Sequence, residues 1–323
     1  MIRKYKFIDL FAGIGGFHYA FHELGAECVF ASEIDYHARK TYEHNLKHLS
    51  PNLFENNKFN DDILKISYDR INQEIPDFDI LCAGFPCQPF SQAGLKFGFN
   101  DQKDSRGNMF FQIRDIIKVK RPKAIFLENV RHLLKHDNGR TFGIIKDIIE
   151  NELQYDFYYE VVKASDFGLP QHRPRLFMIG FRKEDQYKIP FKNPEKIPLR
   201  MTMSDIFSGI CNKDIGYTLR VGGRGSGIND RRNWDAYLVN NQHVKISPKE
   251  AIMMQGFPIN FTFPVTDSQA MKQLGNSVAV DAIKAYGKAI ISRLDKVELN
   301  SKKLCVHLNE NLNLLNIYRE CYE

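Results

Sequence analysis

The chain has 323 residues, of which 43% are hydrophobic and 12% aromatic, and its formal net charge is +6. This length and apolar content allow a buried core, which excludes wholesale disorder and a small fold held together by disulfides. A mean hydropathy of −0.39 with charges throughout the sequence predicts no membrane-spanning segment, and the short apolar stretch at the N-terminus does not fit a secretory signal.

Apolar runs alternate with helical patterns over the first 180 residues. Strands are predicted over 5–12, 27–33, 79–84, 124–128 and 175–180. Helical spacing follows the first strand and recurs over 109–120 and 143–153. Strands that alternate with helices predict an α/β fold with a doubly wound, mostly parallel sheet, which binds ligands at the carboxyl ends of its strands.

The periodic pattern stops after residue 180. Residues 181–250 are rich in Pro, Gly and Asn, with short β-like pieces such as 217–221, and predict a second, smaller, irregular β-rich domain. Helical signals return at Ser247, a cap followed by Pro248, and continue to Leu294. The predicted organisation is a main domain of 1–180 plus 251–294, a second domain of 181–250, and a C-terminal extension of 295–323 that is either an added helix or a loose tail.

The positive charge is concentrated near the second domain. Residues 176–255 hold 13 Lys and Arg against 8 Asp and Glu, whereas the rest of the chain holds 32 against 31. A well-solvated surface would explain this excess, but its concentration in one segment favours contact with a polyanion.

A glycine-rich loop follows the first predicted strand. Gly13 and Gly15 precede a helix, where glycines let the backbone approach a ligand closely. Glu33 ends the second strand, where a carboxylate can hold ribose hydroxyls. The dinucleotide fingerprint G-x-G-x-x-G fails because position 18 is His18. A nucleoside ligand without a pyrophosphate suits this pattern better, and a plain tight turn is the alternative.

One cysteine stands apart from the other five. Cys87 lies between Pro86 and Pro89, directly after a predicted strand, which gives it a rigid position at the ligand-binding edge. A thiol is nucleophilic only as the thiolate and therefore needs electropositive surroundings. Cys28, Cys82 and Cys211 are interpreted as small buried residues, and because C-x-x-C spacing is absent, a zinc site or disulfide framework is not expected. A reducing, cytoplasmic location follows.

Two further motifs place charged groups near the same edge. Glu128 ends an apolar strand, where it either caps the following helix or acts as an acid or base with a raised pKa. Arg173 and Arg175 precede the fifth predicted strand and could bind a phosphate or a carbonyl oxygen. A surface cluster of ion pairs is the alternative for these arginines.

Taken together, these residues resemble the bacterial DNA (cytosine-5)-methyltransferases of restriction–modification systems. The resemblance covers about residues 5–292 and keeps the order of the family's motifs. These are DLFAGIGG at 9–16, Glu33, Asp62-Ile63, GFPCQPFS at 84–91, DSRGNMFF at 104–111, ENV at 128–130, QHRPR at 171–175, QGFP at 255–258 and QLGNSVAV at 273–280.

The resemblance implies an S-adenosylmethionine-dependent methyltransferase fold and S-adenosylmethionine as the cofactor, with S-adenosylhomocysteine as its product. Asp62 would meet the adenine amine and Glu33 the ribose, and Asn276 would require the C-terminal helix to pack back beside the first strand. By similarity, the cofactor-binding residues are Phe11, Ala12, Gly13, Gly15, Glu33, Ile34, Asp62, Ile63, Pro86, Met109, Asn276 and Val278.

The resemblance also implies the chemistry. The Cys87 thiolate would add to C6 of a cytosine, which turns C5 into a nucleophilic enamine carbon. Glu128 would hold or donate a proton at N3, Arg173 and Arg175 would bind O2 and neighbouring groups, and Asn129 would help to fix the Glu128 loop. C5 would take the methyl group and lose its proton, and Cys87 would be eliminated. Such chemistry requires the target cytosine to leave the duplex.

The second domain would then be the target-recognition domain, and double-stranded DNA the partner. Its glycines allow a loop to enter a groove, and its arginines can read guanine or hold phosphates. A basic turn cluster without DNA contacts is the alternative. The predicted DNA-binding residues are Gln88, Ser91, Arg220, Arg224, Arg231 and Arg232.

By the same resemblance we expect a cytoplasmic monomer, associated with the nucleoid through its DNA, that protects sites from a cognate restriction endonuclease. Three alternatives remain at this point. A transfer-RNA cytosine-5 methyltransferase shares the catalytic motifs, but the Cys-Phe-Thr signature typical of that group is absent. A nucleotide-dependent oxidoreductase leaves the GFPCQPFS loop without a role. A non-catalytic DNA-binding module needs no thiolate.

Overall fold

A computed structural model describes residues 5–86, 108–183, 189–222 and 225–320. Its main sheet has seven strands in the order β3-β2-β1-β4-β5-β7-β6, and a separate two-stranded sheet pairs β8 with β9. The strands are β1 Lys6–Leu10, β2 Glu27–Ser32, β3 Phe59–Asn60, β4 Ile80–Gly84, β5 Ala124–Val130, β6 Tyr155–Lys163, β7 Pro174–Arg182, β8 Ala236–Val239 and β9 Gln242–Lys245.

Helices cover both faces of the main sheet. The α-helices of the described ranges are α1 Gly16–Glu23, α2 Tyr36–Leu46, α3 Pro51–Glu55, α4 Ile71–Glu74, α5 Asn108–Lys120, α6 Arg140–Asp147, α7 Met203–Phe207, α8 Pro248–Gln255, α9 Asp267–Asn276 and α10 Val280–Glu320. Short 3₁₀ segments lie at Ile63–Lys65, Tyr68–Arg70, Arg131–Gly139 and Ala164–Asp166, and a π-helical turn at Ile148–Glu152 continues α6.

Neighbouring side chains of the central strands point into two different cores. Ile80 and Cys82 of β4 belong to the core that includes α1 and α10, whereas Leu81 and Ala83 belong to the core that includes α5 and α6. Because both faces are covered, the strands are apolar at nearly every position rather than at every second one. This explains why the strands could be recognised as continuous apolar runs.

The predicted doubly wound, mostly parallel sheet is confirmed, with one addition at its edge. β1, β2, β3, β4 and β5 run parallel, but β7 is antiparallel to both β5 and β6. The prediction missed β6, whose mixed polar and aromatic sequence lacks the apolar run of the inner strands. The reversed direction of β7 brings the residues before β7 to the edge where the parallel strands end.

The second half of the chain corrects one expectation and decides between two alternatives for another. The β-like piece at 217–221 is not a strand, and the isolated bridge nearby pairs Gln171 with Gly216, the residue before this stretch. The C-terminal extension continues as helix in α10 to Glu320, so the added helix, not the loose tail, is correct for residues 295–320. The predicted cap at Ser247 is confirmed, because its side chain accepts from Lys249 N and Glu250 completes a capping box.

No helix within the described ranges combines the length and the apolar character that crossing a bilayer requires.

Candidate active site and recognition segment

The glycine-rich loop after β1 has an unusual backbone. Phe11 has φ +55°, Gly13 +55° and Gly15 +88°. A left-handed conformation at Phe11 costs on the order of 1–2 kcal/mol, and such strain is concentrated at binding sites. A Cβ added at Gly13 would meet no atom within 4 Å. The loop therefore presents an open stretch of backbone at the N-terminus of α1.

Glu33 fixes this loop to the end of β2. Its Oε2 accepts from Gly13 N at 2.8 Å, and its Oε1 accepts from Asp35 N at 2.7 Å. Burial raises the pKa of the Glu33 carboxyl, against the lowering effect of these backbone donors. Each oxygen keeps a second lone pair, so the carboxylate can still accept from a ligand hydroxyl.

Further candidates for cofactor contacts come from two distant parts of the chain. Asp62 caps the turn at Ile63–Lys65, where its Oδ1 accepts from Leu64 N at 3.0 Å. Val278 reaches the loop, because a Cβ on Gly16 would lie 2.5 Å from Val278 Cγ2 and a Cβ on Gly84 would lie 3.8 Å from its Cγ1. The C-terminal helices thus pack back beside β1, as the position of Asn276 required.

Exposure differs among these candidates. Ile34 is 67% exposed and offers an apolar surface beside Glu33, whereas Ile63 is buried in a core and lies behind the surface. Ala12 and Val278 are also buried, Met109 is half-buried and Pro86 is exposed. The structure therefore places open apolar surface and backbone along the loop, bordered by Glu33.

The second group of candidate residues lies where β4, β5 and β7 meet. Glu128 pairs with Gly84 across β4 and β5, and its Oε2 would lie 3.6 Å from a Cβ on Gly84. Arg175 Nε donates to Glu128 Oε1 at 3.0 Å. Cys87, three residues beyond Gly84, lies outside the described residues, as do Gln88 and Ser91.

Burial dominates the electrostatics of Glu128. It raises the pKa of this carboxyl, although the charges of Arg175 and Arg173 and the hydrogen bond from Arg175 lower it. A carboxyl in this environment keeps its proton to higher pH than a solvated glutamate. Glu128 does not cap the following 3₁₀ segment, because Val130 occupies the N-cap position and the Glu128 carboxyl binds Arg175.

Asn129 connects this site to the loop that leads to Cys87. Its Nδ2 donates to Phe85 O at 2.9 Å, and its Oδ1 accepts from Val130 N at 2.8 Å. The side chain is buried. Asn129 thus holds the backbone two residues before Cys87 against the end of β5.

Arg173 and Arg175 differ in what they contact. Arg175 reaches Glu128, whereas the guanidinium of Arg173 donates to the backbone carbonyls of Leu219, Gly275 and Ser277. Arg173 is almost fully buried. Burial and the charge of Arg175 lower the pKa of Arg173, and Glu128 raises it.

Sequence reasoning assigned no role to Asp9, the next-to-last residue of β1, although it begins the DLFAGIGG motif. The residue is fully buried. Burial raises the pKa of its carboxyl well above the usual range, against a backbone hydrogen bond from His18, and Glu33 raises it further. The signal was present in the sequence, because an aspartate inside an otherwise apolar strand is rarely placed there for packing.

The predicted DNA-binding arginines beyond residue 216 lie near backbone that two side chains hold. Trp234 Nε1 donates to Gly222 O at 3.0 Å, and Asp235 Oδ2 accepts from Gly225 N at 3.3 Å. Both side chains are buried. The exposed predicted DNA-binding arginines in this region are Arg220, Arg231 and Arg232, whereas Arg224 lies outside the described residues.

Arg232 is already oriented by a neighbour. Its Nη2 donates to Asp230 Oδ2 at 2.7 Å and its Nε to Oδ1 at 3.1 Å. This pair lowers the pKa of Asp230 to about 2 through hydrogen bonds from Arg232. The pair holds one edge of the guanidinium.

Comparisons with known proteins agree with this geometry. The family model described as C-5 cytosine-specific DNA methylase matches residues 5–220 and 209–292. Type II methyltransferase M.SsoII of Shigella sonnei is 41% identical, over 90% of this chain and 81% of its own length. M.HpaII of Haemophilus parainfluenzae is 38% identical over 90% of each chain, and M.HhaI of Haemophilus parahaemolyticus 35% identical over 90% of this chain and 95% of its own.

Solved structures share the fold. A DNMT2 variant from Spodoptera frugiperda has a TM-score of 0.67 at 19% identity, with 89% of this chain and 100% of that chain covered. Dnmt2 of S. pombe has a TM-score of 0.64 at 17% identity, with 90% and 99% covered. Methyl transfer in the matched family depends on S-adenosylmethionine, and the family model and relatives favour DNA over the transfer-RNA alternative. The chain belongs to the C-5 cytosine-specific DNA methylase family and is a DNA (cytosine-5)-methyltransferase.

Proposed function

We propose that this chain modifies one cytosine within a specific short duplex sequence and so protects that sequence from a cognate restriction endonuclease. The observation that carries the proposal is the buried Arg175–Glu128 pair beside Gly84, three residues before Cys87. Relatives named Type II methyltransferases, matched over nine-tenths of this chain, support the restriction–modification role.

Cys87 is the proposed nucleophile. Its thiolate forms a bond from Sγ to C6 of the cytosine, and the electron pair of the C5–C6 double bond becomes available at C5. Bound S-adenosylmethionine supplies the methyl group that C5 takes up. The C5 proton then leaves, its electron pair restores the double bond, and the Sγ–C6 bond breaks. The proposal requires the cytosine to leave the duplex, since a stacked base is inaccessible.

Glu128 is the proposed acid at N3 of the same ring. A proton held at N3 draws electron density away from C6 and prevents negative charge from accumulating on the ring. The raised pKa of the buried Glu128 supports this role. Arg175 binds Glu128 and has further guanidinium donors that can bind O2, while Asn129 positions the loop before Cys87.

The residues around the glycine-rich loop fit an S-adenosylmethionine molecule. The open backbone at Gly13 accommodates the methionine part, and the carboxylate of Glu33 can accept from the two ribose hydroxyls. The exposed side chain of Ile34 offers an apolar surface to an adenine ring, and Asp62 offers an acceptor for its amine. Asn276 and Val278 complete the proposed pocket from the C-terminal side.

Residues 181–250 are the proposed target-recognition domain. The proposed catalytic domain consists of residues 1–180 and 251–294, and residues 295–323 form a C-terminal extension. Its net positive charge and exposed arginines support contact with DNA. The enzyme is proposed to act in the cytoplasm as a monomer associated with the nucleoid through its DNA.

Bisulfite sequencing of DNA from cells that express this chain tests the function directly. The expected result is complete protection of one cytosine within a single short motif and none elsewhere. An unmodified genome from cells that contain folded enzyme would refute the proposed function. Modification scattered without a motif would refute the role of the recognition domain.

A further inference from the structure

A buried polar cluster joins three separate parts of the chain. We call it the junction cluster, and it consists of Gln171, Arg173 and Gln255, all of which are at most 1% exposed. Gln171 and Arg173 immediately precede β7, and Gln255 ends α8. Buried polar side chains persist only where they are hydrogen-bonded, so their partners show which parts of the fold the cluster holds together.

Gln171 connects the recognition segment to α8. Its Oε1 accepts from Leu219 N at 3.1 Å, and its Nε2 donates to Met254 O at 3.0 Å and to Gln255 Oε1 at 3.2 Å. Gln255 extends the connection, because its Nε2 donates to Leu274 O at 2.6 Å. Residues far apart in sequence are thus linked through one buried amide.

Arg173 ties the same segment to the end of α9. Its Nη1 donates to Leu219 O at 3.2 Å and its Nη2 to Gly275 O at 3.0 Å and to Ser277 O. Both backbone groups of Leu219 are therefore held by residues that lead into β7. Arg175, which pairs with Glu128, is two residues further along.

Gly275 brings the two backbones into direct contact. A Cβ on Gly275 would lie 2.5 Å from the carbonyl carbon of Arg220 and 2.8 Å from Val221 N. No side chain fits there unless the segment moves, because the obstructing atoms belong to backbone. The exposed side chain of Arg220 therefore extends from a backbone segment that is held on both sides.

We propose that Gln171 and Arg173 are positioning residues that hold segment 216–221 in fixed register with the Arg175–Glu128 pair, and so make methylation depend on the sequence that this segment meets. The inference rests on the proposed function, since it assigns segment 216–221 to DNA. A shift of the segment would move Arg220 relative to the flipped cytosine. Sequence discrimination would fall before the chemistry itself is impaired.

Two variants loosen the segment from opposite sides. Gln171→Met keeps the length of the side chain but removes its bonds to Leu219, Met254 and Gln255. Gly275→Ala pushes against the backbone of Arg220 from α9 and replaces no side chain of the junction cluster. Gly143→Ala is the matched control, because a Cβ there meets nothing within 4 Å in helix α6.

The substrates are a duplex that contains the motif found by bisulfite sequencing and duplexes with one base pair of it altered. We expect both variants to lower the ratio of kcat/KM between these duplexes about tenfold, as loss of a buried hydrogen bond would. The KM for DNA should rise, while kcat on the motif duplex and the KM for S-adenosylmethionine stay at their wild-type values. Gly143→Ala should behave as wild type.

Wild-type discrimination by both folded variants would overturn the inference, as would an equal loss of kcat on every duplex. A rise confined to the KM for S-adenosylmethionine would also overturn it, because the cluster would then serve the cofactor site. If Gln171→Met does not fold, the discrimination ratio of Gly275→Ala alone tests the inference. Absence of methylation by the wild type on any duplex would instead refute the proposed function.

Discussion

Arg175 Nε lies 3.0 Å from Glu128 Oε1, and both side chains are close to fully buried, at 15% and 10% exposed. An ion pair removed from water in this way is costly to assemble and is not explained by stability alone. In the proposed acid role, this environment makes two protonation states available to Glu128. Burial favours the protonated carboxyl, while Arg175 favours the carboxylate, so a proton can move between Glu128 and a bound ring.

Glu128→Gln should lower kcat by roughly 10²–10⁴-fold, the range for loss of a general acid. In the wild type, the rate under single turnover should fall as pH rises through the raised pKa of Glu128, because the proton is then lost. The variant should lack this descending limb. Glu152→Gln, at the surface, is the control. Identical pH profiles for wild type and Glu128→Gln would rule out the acid role.

Cys87→Ser should abolish methyl transfer while binding of DNA and S-adenosylmethionine survives, since a hydroxyl is a far weaker nucleophile than a thiolate. DNA that contains 5-fluorocytosine tests the covalent step. The C5 hydrogen can leave as a proton but fluorine cannot leave as a cation, so the Sγ–C6 bond of the methylated intermediate persists. The wild type should form a stable adduct visible by denaturing electrophoresis, and so should the control Cys211→Ser. Turnover by Cys87→Ser would refute the covalent mechanism.

Glu33→Gln should raise the KM for S-adenosylmethionine about tenfold, as expected when a charged acceptor of ribose hydroxyls is lost. One of its two backbone bonds, to Gly13 or Asp35, must also weaken, because an amide has only one acceptor oxygen. The KM for DNA should not change. Isothermal titration with S-adenosylhomocysteine measures the effect without turnover, and wild-type affinity would show that Glu33 has only a structural role.

Asp9→Asn should change how stability depends on pH. The raised pKa of buried Asp9 means that folded protein binds more protons than unfolded protein between the unfolded pKa near 4 and the folded pKa. Wild-type stability therefore falls as pH rises through that window, by at most about 1.4 kcal/mol per pH unit from this residue. Asp9→Asn lacks this loss, so the free energy of unfolding of the variant should increase relative to that of the wild type as pH rises.

Urea titrations at several pH values measure the difference between wild type and Asp9→Asn. The control is Asp61→Asn, because the hydrogen bond from Lys65 lowers the pKa of the exposed Asp61 and gives any dependence the opposite sign. Parallel stability curves for wild type and Asp9→Asn would show that Asp9 does not titrate in this range.

Arg220→Ala and Arg224→Ala should each weaken specific DNA binding in a gel-shift titration. An arginine that reads a guanine is worth about 1–3 kcal/mol of discrimination, whereas one that holds a phosphate reduces the salt slope by about one. Repeating the titration at several salt concentrations separates these roles. Arg70→Ala, paired with Glu74 outside the recognition domain, is the control. Unchanged affinity and sequence preference in both variants would show that these arginines do not contribute to DNA binding.

Much of the fold could be predicted because it depends on short-range patterns. The runs ILCAG and AIFLENV form β4 and β5, and glycines follow β1 where the backbone needs a positive φ. Ser247 and Glu250 cap α8 as expected. Such features arise from neighbouring residues, and periodicity and turn chemistry report them directly.

The strand order at the sheet edge could not be predicted in this way. β6 lacks an apolar run, and nothing local indicates that β7 enters between β5 and β6 in the opposite direction. That reversal sets Arg175 opposite Val130, next to Glu128. The arginine motif thereby reaches the carboxyl ends of the parallel strands although it precedes its own strand.

The sequence by itself determined the family motifs, the alternating strands and helices, and the residue types of the site. Only the tertiary structure decided their partners: Arg175 pairs with Glu128, while Arg173 turns away to the carbonyls of Leu219 and Gly275. The physical reason is that a guanidinium can donate to any acceptor within reach. Which acceptor is within reach depends on strand pairing and helix packing between segments 46 to 102 residues apart.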